Sequence, residues 1–202
     1  MKKMYKSILY IYHRIRRGEF GTNRWKRKFA YFGNGTAIGW PADVSLNKGK
    51  IYIDDKSIIK KNSRIQNYLY AENWEGEVEI KIGKGCDIGK NFSLLNASRV
   101  ELGDNVLIAS NVLITSENHS VNPELSLEYK DQPLQTAPVK IGDGCWIGEK
   151  VVILPGVSIG KKCVIGAASV VTKSIPDYCM AVGNPAKVIK KYDFIMHSWK
   201  YV

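Results

Sequence analysis

Cysteine pairs, clustered histidines and long apolar runs are all missing from this sequence, and each absence removes a class of protein. Four cysteines occur, Cys86, Cys145, Cys163 and Cys179, with no C-x-x-C spacing among them, so no thiolate metal knuckle is encoded. Histidine is as scarce: His13 and His197 lie in the terminal segments and only His119 lies in the body of the chain. That spacing argues against a three-histidine metal centre, and no metal is expected. No N-terminal stretch has the uninterrupted apolar run of a signal peptide or a membrane span, so a cytoplasmic protein with reduced thiols is expected.

Acidic residues are nearly absent from one region. Residues 1–33 hold ten Lys or Arg against Glu19 alone, whereas the whole chain of 202 residues carries a formal charge of +11. The basicity therefore belongs to an appendage. Residues 1 to about 17 place Met4, Ile8, Ile11 and Ile15 on one arc of a helix, with Lys3, Lys6, Arg14 and Arg17 opposite. A second basic helix with Trp25, Phe29 and Phe32 follows after Gly18–Asn23. Two uses suit such a segment: docking at the anionic inner face of a membrane, or capping an open end of the repeats described next.

What is present is a period of six. Ile141, Ile147, Ile153, Ile159, Ile165 and Val171 recur without a slip, glycine follows four of them, and the fifth place holds Cys145, Val151, Val157, Cys163, Ser169 and Ile175. Neither a helix nor a two-faced strand has this period. It describes an all-β fold: a three-sided parallel β-helix of six-residue flats and corners, eighteen residues to a turn. Cys86 shares the fifth place, so these cysteines read as small core residues.

The period starts loosely after Gly33 and is broken by a polar, aromatic excursion over 66–79, to which no role is assigned. It gains two residues near Val100-Glu101 and is broken again by residues 116–138, a loop carrying Pro123, Pro133 and Pro138 with His119 at its root. Long aperiodic loops in compact domains are often functional. The expected organisation is a basic helical segment over 1–33, a β-helix over 34–192 with its protruding loop, and a short closing helix over 193–202.

The runs GDGCWIGEKVVILPGVSIG, VIGAASVVTKSIP and GNPAKVIKK, with Asn118-His119 at the loop root, resemble the left-handed β-helix acetyltransferases. Within that family the likeness is to the galactoside, maltose and colanic-acid O-acetyltransferases, and it covers roughly residues 80–192. Left-handedness follows from the resemblance alone, since parallel crossovers are generally right-handed. The resemblance implies a homotrimer with sites between subunits, acetyl-CoA as donor, and a saccharide acceptor, lipid-linked if residues 1–33 dock on a membrane. His119 matches the catalytic base, and the amides of Gly148 and Glu149 match an oxyanion site. Asn91, Asn96 and Trp146 align with acceptor-side positions, the two asparagines serving equally well as corner residues. Ala167, Thr172, Lys173, Lys187 and Lys190 align with the coenzyme groove. Sugar amines and hydroxylated antibiotics stay open as acceptors. A basic membrane- or nucleic-acid-binding scaffold is the alternative outside enzymes, and nucleic acid is not the expected partner.

Overall fold

A computed structural model describes residues 29–45, 49–68 and 75–202. The amphipathic helices expected before residue 29, and residues 69–74 of the excursion, lie outside the described residues. Over the described residues the chain winds as a three-sided coil whose faces are parallel sheets of six, nine and six strands, the second face ending in antiparallel strands. The first face runs from Tyr31–Phe32 through Glu79–Ile82 and Arg99–Leu102 to Ser158–Ile159. The second carries Leu107–Ile108, Trp146–Ile147, Val164–Ile165 and Cys179–Val182, and the third Ser63–Asn67, Ser93–Asn96, Leu113–Thr115 and Val170–Val171.

The hexad reading is met in the bore. Ile141, Ile147, Ile153, Ile159, Ile165 and Val171 are all buried and face equivalent residues of the coils above and below. Full burial of such a side chain contributes about 1.5–3 kcal/mol relative to exposure, so the column supplies most of the driving force.

The fifth-place residues do more than fill space. Ser57 Oγ donates to the Gly83 carbonyl at 2.6 Å, and the thiols of Cys86, Cys145 and Cys163 donate to Gly103, Gly160 and Pro176 carbonyls at 3.2, 2.9 and 2.9 Å. Each closes a corner of the next coil. Burial pushes the Cys86 thiol above its ordinary range, which suits a donor and not a nucleophile. On the same corner, Asp55, Asp104, Asp143 and Asp177 accept the amides of Asn34, Lys84, Asp104 and Lys161 from the preceding coil, at 2.6 to 2.9 Å.

Two boundaries differ from expectation. Tyr31–Phe32 already pairs with Tyr52 and Ile53, and Phe29 is buried in the core, so the β-helix reaches into the segment read as helical. The closing helix over 193–202 is instead a β-hairpin: Lys187–Asp193 returns antiparallel along Cys179–Val182, and Ser198–Tyr201 pairs with it. The spacing of Tyr192, Phe194 and Trp199 suits either element. The hairpin wins because Cys179–Val182 presents an open sheet edge for Lys187–Asp193 to satisfy.

All the departures from the period share one corner. The breaks between Ser45 and Lys50, Asn67 and Glu79, Asn96 and Arg99, and Thr115 and Val139 all fall between a strand of the third face and the next strand of the first. The extra pair thus lies slightly before the Val100-Glu101 position expected, and Arg99–Leu102 is regular strand.

Candidate active site

His119 is carried on that corner by a short arm. Glu117–His119 pairs antiparallel with Leu134–Thr136, His119 opposite Leu134, so the segment read as a loop is a hairpin at its root. A buried polar stitch holds it. Ser116 Oγ donates to Asn96 Oδ1 at 2.6 Å, Asn96 Nδ2 donates to Asn67 Oδ1 at 2.7 Å, and the Ala97 amide donates to Ser116 Oγ at 3.1 Å. Further out, the buried Gln132 ties the arm to itself, donating to the Asn122 and Leu127 carbonyls and accepting the Asn122 amide.

Alternate residues of a strand share a side, and Glu117 and His119 line one cavity of about 510 Å³ with Arg64, Tyr68, Leu95, Lys130 and Gln132. Arg64 donates to Gln66 Oε1 at 2.5 Å, and the Tyr68 hydroxyl donates to the same oxygen, which makes a fixed polar wall. Burial raises the Glu117 carboxyl above its ordinary value, opposed by the nearby His119 and Arg64 charges. Such a carboxyl favours folding while protonated, and that contribution is lost as the pH rises through its raised value. Its place is therefore better explained by its neighbour His119 than by stability. Arg64, Tyr68 and Lys130 escaped the sequence reading, because the stacking of coils brings the first two to His119 and the folding-back of the arm brings Lys130.

The other predicted residues divide. Trp146 points outward from the second face and is 52% exposed, between Leu107 and Val164. Gly148, Glu149 and Ala167 stack in consecutive coils on the corner between the second and third faces, where the Ala168 amide donates to the Glu149 carbonyl at 2.8 Å. A Cβ on Gly148 would lie 2.6 Å from the Ala167 nitrogen, so the close stacking here requires glycine. Lys187 and Lys190 extend the second face beyond them, paired with Val182 and Met180. Thr172 and Lys173 are exposed and follow Val170–Val171, on the same corner as His119 and two coils further on.

Three expectations are corrected or sharpened. The Gly148 amide donates to the Ile165 carbonyl at 2.8 Å and is not free for an oxyanion, whereas no acceptor for the Glu149 or Ala167 amide is found among the described residues. Asn96 does not face an acceptor: it is fully buried, with both ends of its amide taken by the stitch. Asn91 is a corner residue at φ +55°, and its Nδ2 donates to Asn111, which in turn donates to Glu149 Oε1 at 3.1 Å.

The corner bearing His119 is the vertex of the prism opposite the second face. One chain therefore does not bring His119 to Trp146 or to the free Glu149 amide. No cluster of His, Cys, Asp and Glu suited to a metal ion occurs among the described residues. Nor is any helix among them long and apolar enough to cross a membrane.

Residues 138–173 match the family described as bacterial transferase hexapeptide (six repeats), and residues 79–116 match the hexapeptide repeat of succinyl-transferase. The chain is 42% identical over 146 residues to the galactoside O-acetyltransferase of Escherichia coli, covering 67% of this chain and 70% of that one. It is 39% identical over 152 residues to a putative lipopolysaccharide biosynthesis O-acetyl transferase of the same organism, covering 65% and 75%. A probable acetyltransferase of Mycobacterium tuberculosis is 34% identical over 176 residues, covering 86% of this chain, which spans only 53% of that relative's length. Among solved structures, a galactoside acetyltransferase in complex with coenzyme A superposes with a TM-score of 0.60 at 32% identity, covering 85% of this chain and 69% of that one. The coil is accordingly a left-handed parallel β-helix.

Proposed function

The chain belongs to the hexapeptide-repeat acetyltransferases, and from that premise we propose that it moves an acetyl group from acetyl-CoA to a saccharide hydroxyl. The observation that carries this reading is the placement of His119, exposed on a stitched arm, at a cavity of mixed polar and apolar lining and beside the half-buried Glu117 carboxyl. Imidazole has the ordinary pKa nearest neutrality, which suits a base that must both take and return a proton.

In the reaction the acceptor oxygen attacks the thioester carbonyl carbon while His119 takes the hydroxyl proton. The tetrahedral oxyanion forms against the Glu149 amide, the one member of the expected pair left without an acceptor. Collapse breaks the carbon–sulfur bond, and the proton passes from His119 to the departing coenzyme thiolate. Ala167 offers a second open amide to the coenzyme, and Thr172, Lys173, Lys187 and Lys190 offer hydroxyl and cationic partners for its phosphates. Because His119 and the Glu149 corner occupy different sides of one prism, the site is completed by a second copy, within a homotrimer. The likeness to a lipopolysaccharide biosynthesis enzyme supports a surface-polysaccharide unit as acceptor.

The test is release of coenzyme A thiol from acetyl-CoA with neutral sugars, sugar amines and lipid-linked saccharides as acceptors. Turnover that rises with a saccharide hydroxyl acceptor is expected; turnover with amines alone would replace this reading by N-acetylation.

A further inference from the structure

The C-terminal hairpin ends in an apolar turn that the rest of the described chain leaves uncovered. Phe194, Ile195 and Met196 are 59%, 88% and 61% exposed, and they are consecutive. Scattered exposed apolar residues need no explanation, but three in a row at the tip of a projecting turn are a patch. The turn is also held firmly. Asp193 Oδ1 accepts the amides of Ile195 and Met196, both at 2.9 Å, and these bonds hold its carboxyl below the usual range. Phe194 packs edge-on against Tyr178 and Tyr192, at 4.7 and 5.1 Å between ring centroids, and Tyr192 packs on Trp199 at 5.3 Å. The apolar side chains are thus presented from a rigid aromatic base.

Cations surround that base. Lys191 stands directly opposite Lys200 across the hairpin, a like-charge pairing that costs stability unless an anion neutralises it. Lys190 lies over the Tyr201 ring at 4.3 Å and Lys161 over the Tyr178 ring at 5.5 Å. None of these four lysines is in an ion pair among the described residues. Residues 187–202 hold four lysines and no acid except Asp193, which its backbone hydrogen bonds occupy.

We propose that this turn is a lipid-insertion tip: Phe194, Ile195 and Met196 enter the headgroup–acyl boundary of an anionic bilayer, and Lys161, Lys191 and Lys200 meet its phosphates. Lysine stems suit this because they reach along apolar surface while keeping the ammonium in the polar layer. Tyr201 and Trp199 are the side chains that favour the membrane–water interface. Charge decides against a second copy of the chain as the occupant. A flat contact between copies would set Lys191 and Lys200 of one chain against the same lysines of the other, whereas an anionic leaflet attracts each of them. The convex shape agrees, since a protruding turn enters a fluid boundary more readily than it fits a like surface.

The experiment is vesicle co-flotation of the full-length protein, with phosphatidylcholine alone and with equal phosphatidylcholine and phosphatidylglycerol. Wild type is expected to float with the anionic vesicles and not with the neutral ones. The double variant Phe194→Ser, Ile195→Glu is expected to lower the vesicle-bound fraction about tenfold, with melting temperature and elution volume unchanged. Ile195→Leu is expected to bind as wild type does. Equal binding by the double variant would overturn the proposal and place any lipid contact elsewhere, including the basic residues 1–28. A smaller elution volume-defined mass for the variant would also overturn it, by identifying the turn as a contact between copies.

Discussion

Replacing His119 by alanine is expected to lower acetyl turnover by about 10²- to 10⁴-fold, with coenzyme binding and melting temperature unchanged. The size follows from the role, since a positioned base removes a proton that water would otherwise have to accept during attack. The selectivity follows from the structure. His119 is exposed and holds no part of the core, so its loss is expected to change stability by no more than about 0.5 kcal/mol. The arm that carries it is fixed by Ser116, Asn96 and Gln132, none of which touches the imidazole in its hydrogen bonding. Thiol release and coenzyme titration on the same preparation separate chemistry from binding. Undiminished turnover in the variant would remove His119 from the mechanism.

The largest expected effect on stability lies at Asn96. Asn96→Leu keeps the side-chain size and deletes the amide, leaving Asn67 Oδ1, Ser116 Oγ and the Ser98 amide without their buried partner. Several unsatisfied buried groups at once are expected to cost about 3 kcal/mol, or roughly 6–12 °C in melting temperature for a domain of this length. The arm root shares Ser116, so turnover should fall as well, even though Asn96 touches no reactant. Asn91→Ala is the control. Asn91 is exposed on another corner, and its replacement is expected to cost about 1 kcal/mol or less, mainly through its positive φ. Thermal melts of both variants distinguish the buried stitch from a corner ladder; equal losses would contradict that assignment.

These two asparagines show where the sequence was readable and where it was not. Each stands a few residues after a bore position, Ile88 and Leu94, and both look like polar corner residues. Only the stacking of coils reveals that Asn96 is turned inward between Asn67 and Ser116, residues 29 and 20 positions away. The bore was legible because one apolar residue in six decides which side faces inward, and nothing distant can alter that. His119 was legible because it interrupts the period at the root of a loop. The role of the Gly148 amide was not, since whether it is free depends on the Ile165 carbonyl in the next coil. The C-terminal hairpin was misread for a related reason. Tyr192, Phe194 and Trp199 suit a helix as well as a strand, and the choice is made by the open edge of Cys179–Val182, which has no local signature. The common corner of all the insertions is likewise a property of the winding, and it explains why the one loop with a histidine stands above Thr172 and Lys173.

The central claim is that His119 of one copy works against the second face and its corner on another copy. Mixed oligomers of two defective variants, His119→Ala and Trp146→Ala, test it most directly. Trp146 is outward-facing on the second face, so its truncation leaves the core intact. With random assortment in a closed ring of identical chains, about a quarter of the sites would join an intact His119 to an intact Trp146 from different chains. Thiol release by the refolded mixture is therefore expected to exceed that of either variant alone and to approach about a quarter of wild type. A mixture no more active than the mean of its two parents, in oligomers shown to be mixed, would contradict the account.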